Sequence, residues 1–87
     1  MVRGVTRSGF EFEVAEDIGN DMELFEALCE LDGGDARALV PVCRIVLGGQ
    51  KKALYEHLRA LHGRVPVDKA AEEIADILGA VKDGKKS

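Results

Sequence analysis

The chain has 87 residues, of which 46% are apolar and 32% charged, the balance of one compact domain rather than of a disordered segment. Its net charge of −4 argues against general nucleic-acid binding, because affinity for phosphates comes from many Lys and Arg contacts. No run approaches the ~20 apolar residues of a membrane span, and no apolar segment of a secretory signal follows Arg3 and Arg7. We therefore predict a single domain over residues 1–82, a short basic tail over residues 83–87, and neither a membrane nor a nucleic-acid partner.

The charges are divided unevenly along the chain. Residues 1–35 contain two basic and ten acidic residues, a charge of −8, whereas residues 36–87 contain ten basic and six acidic residues, a charge of +4. Surfaces of opposite sign on one molecule attract the matching surfaces of another copy. The charge distribution therefore favours head-to-tail self-association, and we expect a homo-oligomer.

Residues 5–14 predict a strand or a pair of strands. Three apolar residues alternate here with two glutamates, the period of two that places one set on a common face: Phe10, Phe12 and Val14 against Glu11 and Glu13. Ser8 and Gly9 suit the hairpin turn between two such strands. Because a lone hairpin is marginally stable in water, it must pack against helices.

The first helix is predicted to extend from its N-cap, Asn20, to about Leu31. Glu23, three residues after Asn20, would complete a capping box. Its inward stripe consists of Leu24, Phe25, Leu28 and Leu31, and its acidic surface of Glu23, Glu26 and Glu30. Gly33 and Gly34 end this helix, since glycine tolerates the left-handed backbone that follows a helix.

A second helix is predicted over residues 36–47, with Asp35 as its N-cap. Two arginines are the only charged residues in this otherwise apolar segment. A helix that is apolar nearly all round is either central in the core or covered by a partner. We predict that Leu39, Val42 and Val46 bind a partner protein. Pro41 should kink this helix or delay its start, because proline lacks the backbone N–H.

Two more helices follow, over residues 50–62 and 67–81. The third helix turns Leu54, Leu58 and Leu61 inward and ends at Gly63. The last helix repeats apolar residues at helical spacing: Val67, Ala70, Ala71, Ile74, Ile77, Leu78 and Val81. We predict that two charged surfaces bind protein. One is the acidic surface of the first helix, and the other consists of basic residues of the third helix: Lys51, Lys52 and Arg59. The expected fold is mainly α, with a short N-terminal β-hairpin or strand packed on a bundle of about four helices.

No pattern of reactive side chains predicts chemistry. Cys29 and Cys43 lie in helical segments without CxxC spacing and are predicted to be buried thiols. His57 and His62, five residues apart, lie on different faces of one helix, so no metal site is expected. We predict no catalytic, cofactor or metal residues and a chain that is not an enzyme.

Neither Ser8 nor the pair of Glu72 and Asp76 is predicted to form a functional site. Ser8 has no histidine nearby in the sequence, which makes it a poor nucleophile candidate. Glu72 and Asp76, one helical turn apart, are interpreted as a solvated helix face, because a calcium site needs six or more oxygen ligands.

A helix-turn-helix DNA-binding regulator is one alternative function. It would consist of the second helix, the Gly48-Gly49 turn and the third helix with its basic residues, but Glu56 lies within the face that would meet the DNA. A generic helical protein-interaction module is a further alternative.

The order of the segments resembles that of the tail assembly chaperones of long-tailed bacteriophages and prophages. The likeness covers about residues 9–78 and rests on these segments: Gly9 to Val14, Met22 to Leu28, Ala38 to Val40, Arg44 to Gly48, Leu54 to Arg59, and Gly63 to Asp68. Pro41 departs from the family, which is usually uninterrupted helix at this point.

The resemblance implies a small helical protein without enzymatic activity in the host bacterial cytoplasm. Similar proteins bind the long tape measure protein, keep its apolar helices soluble, and help tail tube subunits to assemble around it. The expected function is therefore that of a phage tail assembly chaperone.

Overall fold

The computed structural model describes residues 1–84, and helix makes up 66% of the structure. The predicted mainly α fold with an N-terminal antiparallel hairpin is confirmed. Its elements are β1 (Val2–Val5), β2 (Glu11–Val14), α1 (Met22–Asp32), α2 (Leu39–Leu47), α3 (Lys51–His62) and α4 (Val67–Gly84). Short 3-10 turns, Ala36–Ala38 and Gly48–Gln50, precede α2 and α3. Residues 83 and 84 belong to α4 rather than to a tail, and residues 85–87 lie outside the described part.

The hairpin begins at Val2, earlier than predicted, and pairs Val2 with Val14. Its turn is closed by hydrogen bonds from the N–H of Thr6 to the Phe10 carbonyl and from the N–H of Gly9 to the Thr6 carbonyl, both 2.9 Å. Gly9 has a φ of 93°, a conformation that favours glycine. The predicted inward face of β2 is confirmed, because Phe12 is 4% and Val14 3% exposed.

The side chain of Gln50 attaches the hairpin to the start of α3. The N–H of Thr6 donates to the Phe10 carbonyl, and from this position the alternation of an antiparallel ladder turns the N–H and carbonyl of Glu13 away from β1. Gln50 bonds both groups: its Oε1 accepts from the Glu13 N–H at 2.9 Å, and its Nε2 donates to the Glu13 carbonyl at 2.6 Å. One amide side chain thus replaces a neighbouring strand at this position.

The start of α1 corrects the sequence prediction by one residue. The N-cap is Asp21, whose backbone is extended and whose side-chain Oδ1 accepts the N–H of Leu24 at 3.0 Å. Glu23 is then the second helical residue, one position short of the capping-box site, so Asn20 and Glu23 do not form the predicted box. At the other end Gly34 has the left-handed backbone, and Asp35 N–H returns to the Glu30 carbonyl, a Schellman ending.

The prediction that Pro41 delays its helix is confirmed. Residues 36–38 form a 3-10 turn, capped by Asp35 through the N–H of Arg37, and α2 itself begins at Leu39. Pro41 is therefore the third residue of α2, where a backbone N–H has no partner within the helix anyway. The helix starts where the missing donor costs least.

Helix α2 is the centre of the molecule, in contact with α1, α3, α4 and β2, while β1 lies against α4. Three residues predicted to point inward are exposed instead: Phe25 is 57%, Leu61 55% and Val67 65% exposed. Helix α1 packs chiefly on α2 and the turn before it, and Phe25 lies on the exposed side of α1. None of the helices in residues 1–84 combines the length and apolarity that a membrane crossing requires.

Candidate protein-binding surfaces

The apolar residues predicted to bind a partner are core residues. Leu39 is 7%, Val42 0% and Val46 4% exposed, because the chain's own elements cover α2 on several sides. Of the two explanations for an apolar helix, a central position is therefore the correct one: Val42 and Val46 present no surface to a partner, and Leu39 contributes only to the lining of an apolar groove.

An apolar groove lies beside them, where α2, α3 and the start of α4 meet. Its volume is about 200 Å³, and no charged residue lines it: Ala36, Leu39, Val40, Cys43, Tyr55, Val65, Val67 and Ala70. Val40 is 55% and Val67 65% exposed, so the two valines project at the surface of the groove. Sequence analysis missed both, since Val40 was not singled out and Val67 was predicted to be buried.

The residues that line the groove are uncharged, and the Lys51 ammonium lies near one of them, Tyr55. Burial raises the pKa of the Cys43 thiol, against a smaller opposing effect of the Lys51 ammonium, so the thiol stays protonated at neutral pH. Burial likewise raises the pKa of Tyr55. The Lys51 Nζ lies 5.8 Å from the centre of the Tyr55 ring. Exposed Arg59 follows Tyr55 by four residues, one helical turn, and so lies on the same face of α3.

A second apolar surface, the α1 stripe, consists of Met22, Phe25 and Cys29. These residues recur at spacings of three and four, so they form one line along the outer side of α1. Met22 is 65% exposed, and Cys29, predicted to be a buried thiol, is exposed as well. The half-buried Leu28 and Leu31 continue the stripe towards the core around a shallow cleft of about 390 Å³.

The three predicted acidic residues, Glu23, Glu26 and Glu30, lie exposed along α1. No cation of residues 1–82 lies within 4.0 Å of their carboxylates. Like charges at this spacing destabilise a helix by about 0.2–0.5 kcal/mol per pair, and Glu30 also faces the negative end of the helix dipole. Helix α1 therefore carries negative charge that the described part of the chain does not neutralise.

The three predicted basic residues share α3 and do not meet these glutamates. Lys52 and Arg59 are exposed, whereas Lys51 is half-buried beside Tyr55. Within residues 1–82 none of them forms an ion pair with a carboxylate. The acidic and basic surfaces predicted from the sequence are thus both present, and the monomer does not join them.

A polar cluster, unpredicted from the sequence, fixes the hairpin turn to α3 and α4. The hydroxyls of Thr6 and Ser8 donate to Oε1 of Glu73 at 2.6 and 2.8 Å, and Glu73 is only 4% exposed. His57 Nε2 lies 3.0 Å from the Ser8 hydroxyl and 3.1 Å from the Ser8 carbonyl. Because a carbonyl oxygen only accepts, Nε2 carries the hydrogen in that contact.

The Ser8, His57 and Glu73 side chains do not form a catalytic triad. In a triad the carboxylate orients the imidazole, which in turn contacts the serine. Here the carboxylate and the imidazole both contact the Ser8 hydroxyl, and within residues 1–82 no hydrogen bond joins Glu73 to His57. The arrangement secures the turn rather than activating the serine.

Asp76 corrects the interpretation of α4 as a solvated acidic face. Its carboxylate accepts the backbone N–H of Arg7 at 3.0 Å and pairs with the Arg7 guanidinium at 2.9 Å. The hydrogen bonds from Arg7 lower the pKa of Asp76. Glu72 is exposed and pairs with Lys69 at 3.5 Å. No group of three or more metal-binding side chains occurs in the described part of the chain.

Comparison of the chain with models of known protein families, with curated proteins and with solved structures gave no match.

Proposed function

We propose that this protein is a tail assembly chaperone of the long-tailed phage type, which acts in the bacterial cytoplasm without catalysing a reaction. It binds a helical segment of the tape measure protein and keeps that segment soluble while tail tube subunits assemble. The observation that supports a binding role is the uncharged groove between α2, α3 and the start of α4, with Val40 and Val67 at its surface. The identity of the client rests on the sequence resemblance.

The groove suits an apolar helix because both surfaces are removed from water when they meet. Each Å² of apolar surface buried stabilises the complex by about 25 cal/mol, and a helix laid into a groove is a common mode of peptide recognition. A tape measure helix has an apolar stripe that would otherwise aggregate. In this proposal the helices α1–α4 act as one bundle that holds the groove open.

Co-expression with a tape measure segment tests the proposal. We expect the soluble fraction of the client to rise with the wild-type chain and to stay low with Val40→Asp, which places a charge at the groove. Val5→Asp is the matched control, because Val5 is 63% exposed on β1, away from the groove, and should solubilise the client like the wild type. Circular dichroism confirms that each variant is folded.

Two outcomes would overturn this assignment. A client that is equally insoluble with and without the chain contradicts the chaperone function. Specific binding of duplex DNA at physiological salt, weakened by Lys52→Ala and Arg59→Ala, would favour the helix-turn-helix regulator instead.

A further inference from the structure

We infer that a pocket between the hairpin turn, α3 and α4 binds the side-chain ammonium of a lysine from a partner protein. This turn pocket has a volume of about 330 Å³, and its walls include Ser8 of the turn, Leu58 and Leu61 of α3, and Glu73 of α4. It shares no lining residue with the groove. The inference therefore goes beyond the proposed function and does not depend on it.

The Glu73 carboxylate has one oxygen that remains free for a ligand. The hydroxyls of Thr6 and Ser8 both donate to Oε1, and within residues 1–82 no group donates to Oε2. In the same part of the chain, no fully buried side-chain oxygen lacks a hydrogen-bond partner. Oε2 therefore keeps contact with solvent although Glu73 is 4% exposed, and the turn pocket, which Glu73 lines, supplies that contact.

The charge of Glu73 is the one in the pocket that the fold leaves without a counter-ion among residues 1–82. Arg7 and Lys69 also line the pocket, but the Arg7 guanidinium pairs with Asp76 at 2.9 Å and the Lys69 ammonium with Glu72 at 3.5 Å. No cation of the described side chains lies within 4.0 Å of the Glu73 carboxylate. Burying a carboxylate without a cation is costly.

Holding the hairpin turn does not account for this charge. The two hydroxyls require only an acceptor, which Oε1 supplies and which an uncharged amide would supply as well. A local arrangement that the fold itself does not compensate is typical of a functional site. A cation that enters the pocket and donates to Oε2 would provide the compensation.

An alkyl ammonium suits these walls better than a guanidinium. Leu58 and Leu61, three residues apart on α3, form an apolar wall, and Leu61 is 55% exposed, so the wall is reached from the surface. A lysine lays its methylene stem along such a wall while its charged end reaches a polar group. A guanidinium binds best to two parallel acceptors, whereas Glu73 offers one free oxygen, to which a compact ammonium donates.

Nuclear magnetic resonance of the isotope-labelled chain tests the inference with capped amino acids as probes. N-acetyl-lysine methylamide should shift the amide signals of Ser8, Leu61 and Glu73 until they saturate. N-acetyl-norleucine methylamide, which has the stem without the charge, should not shift them, and N-acetyl-arginine methylamide should bind more weakly. The titrations are made at pH 8, where histidines are ordinarily neutral, because His62 also lines the pocket.

Glu73→Gln should weaken binding of the lysine probe by about tenfold or more, since it removes the charge that the ammonium meets. Its amide oxygen still accepts from Thr6 and Ser8, so the turn stays attached. Glu56→Gln is the matched control, because Glu56 is exposed on α3 outside the pocket, and it should bind the probe like the wild type.

A second variant works on the opposite wall and does not alter the buried carboxylate. Leu61→Lys places an ammonium of the chain itself beside the pocket and should exclude the lysine probe. Val5→Lys makes the same change at an exposed residue that does not line the pocket, and it should bind the probe like the wild type.

The inference is overturned if the lysine probe leaves the three amide signals unshifted, if the norleucine probe shifts them equally, or if Glu73→Gln and Leu61→Lys bind the lysine probe as tightly as the wild type. Tighter binding of butylammonium than of the lysine probe would overturn a partner lysine as the ligand. Glu73→Gln keeps the groove intact, so it should still solubilise a client that the wild type solubilises. A failure of the proposed function is thereby distinguished from a failure of this inference.

Discussion

The hydroxyl of Ser8 donates a hydrogen bond of 2.8 Å to Oε1 of Glu73, a residue 65 positions later in the chain. Thr6 donates to the same oxygen, so two hydroxyls of the hairpin turn solvate a carboxylate that is 4% exposed. A buried carboxylate without such donors would be costly. The hairpin is therefore held to the helices by directional polar contacts as well as by the apolar face of β2.

Thr6→Val should lower the free energy of unfolding by about 1–3 kcal/mol, the usual cost of leaving a buried polar group short of a partner. Valine keeps the shape of threonine but neither donates to Glu73 nor accepts the N–H of Phe10, which Thr6 Oγ1 does at 3.1 Å. Urea unfolding measures the change. Thr6→Ser keeps the hydroxyl and should be much less destabilised, so an equal loss in both variants would contradict the polar role.

Local patterns in the sequence predicted those parts of the fold that depend on neighbouring residues. The alternation in β2 placed Phe12 and Val14 on the buried face, and Gly63 ends α3 with a φ of 78°. Asp35 caps the turn before α2 as predicted. Each of these features depends on backbone geometry within a few residues, which the sequence pattern describes directly.

Features that depend on which elements become neighbours could not be predicted in this way. Periodicity placed Phe25 with the inward residues of α1, but only the packing of α1 against α2 decides which flank is covered. For the same reason Val42 was taken for a binding residue although it is fully buried. The contact of Ser8 with Glu73 spans 65 residues and leaves no local signal.

The ion pair of Arg7 and Asp76 should make stability depend on pH. Hydrogen bonds from Arg7 lower the pKa of Asp76 in the folded chain, so the unfolded chain binds the proton more readily. The stabilisation is therefore fully present above the ordinary aspartate pKa of about 4 and is lost as the pH falls through the lowered value. Asp76→Asn should be less stable than the wild type at neutral pH.

Urea unfolding of the wild type and Asp76→Asn between neutral and acidic pH measures this effect. The difference in free energy of unfolding should stay constant down to about pH 5 and then narrow, because Asp76 becomes protonated in both states of the wild type. Asp68→Asn, in the first turn of the same helix, has no contact with Arg7 and serves as control. A difference that is independent of pH would contradict the role of the ion pair.

Two glycine-to-alanine substitutions should change stability in opposite directions. A Cβ at Gly4 would lie 2.8 Å from Cζ of Phe12, whose ring is 4% exposed and cannot move freely, so Gly4→Ala should cost about 1–3 kcal/mol through overpacking. Gly79 lies on the exposed side of α4 with open space around it, and Gly79→Ala should raise the free energy of unfolding by about 1 kcal/mol through higher helix propensity. Thermal and urea unfolding of both variants measure these shifts. If Gly4→Ala were as stable as the wild type, the close packing of β1 over the Phe12 ring would be contradicted.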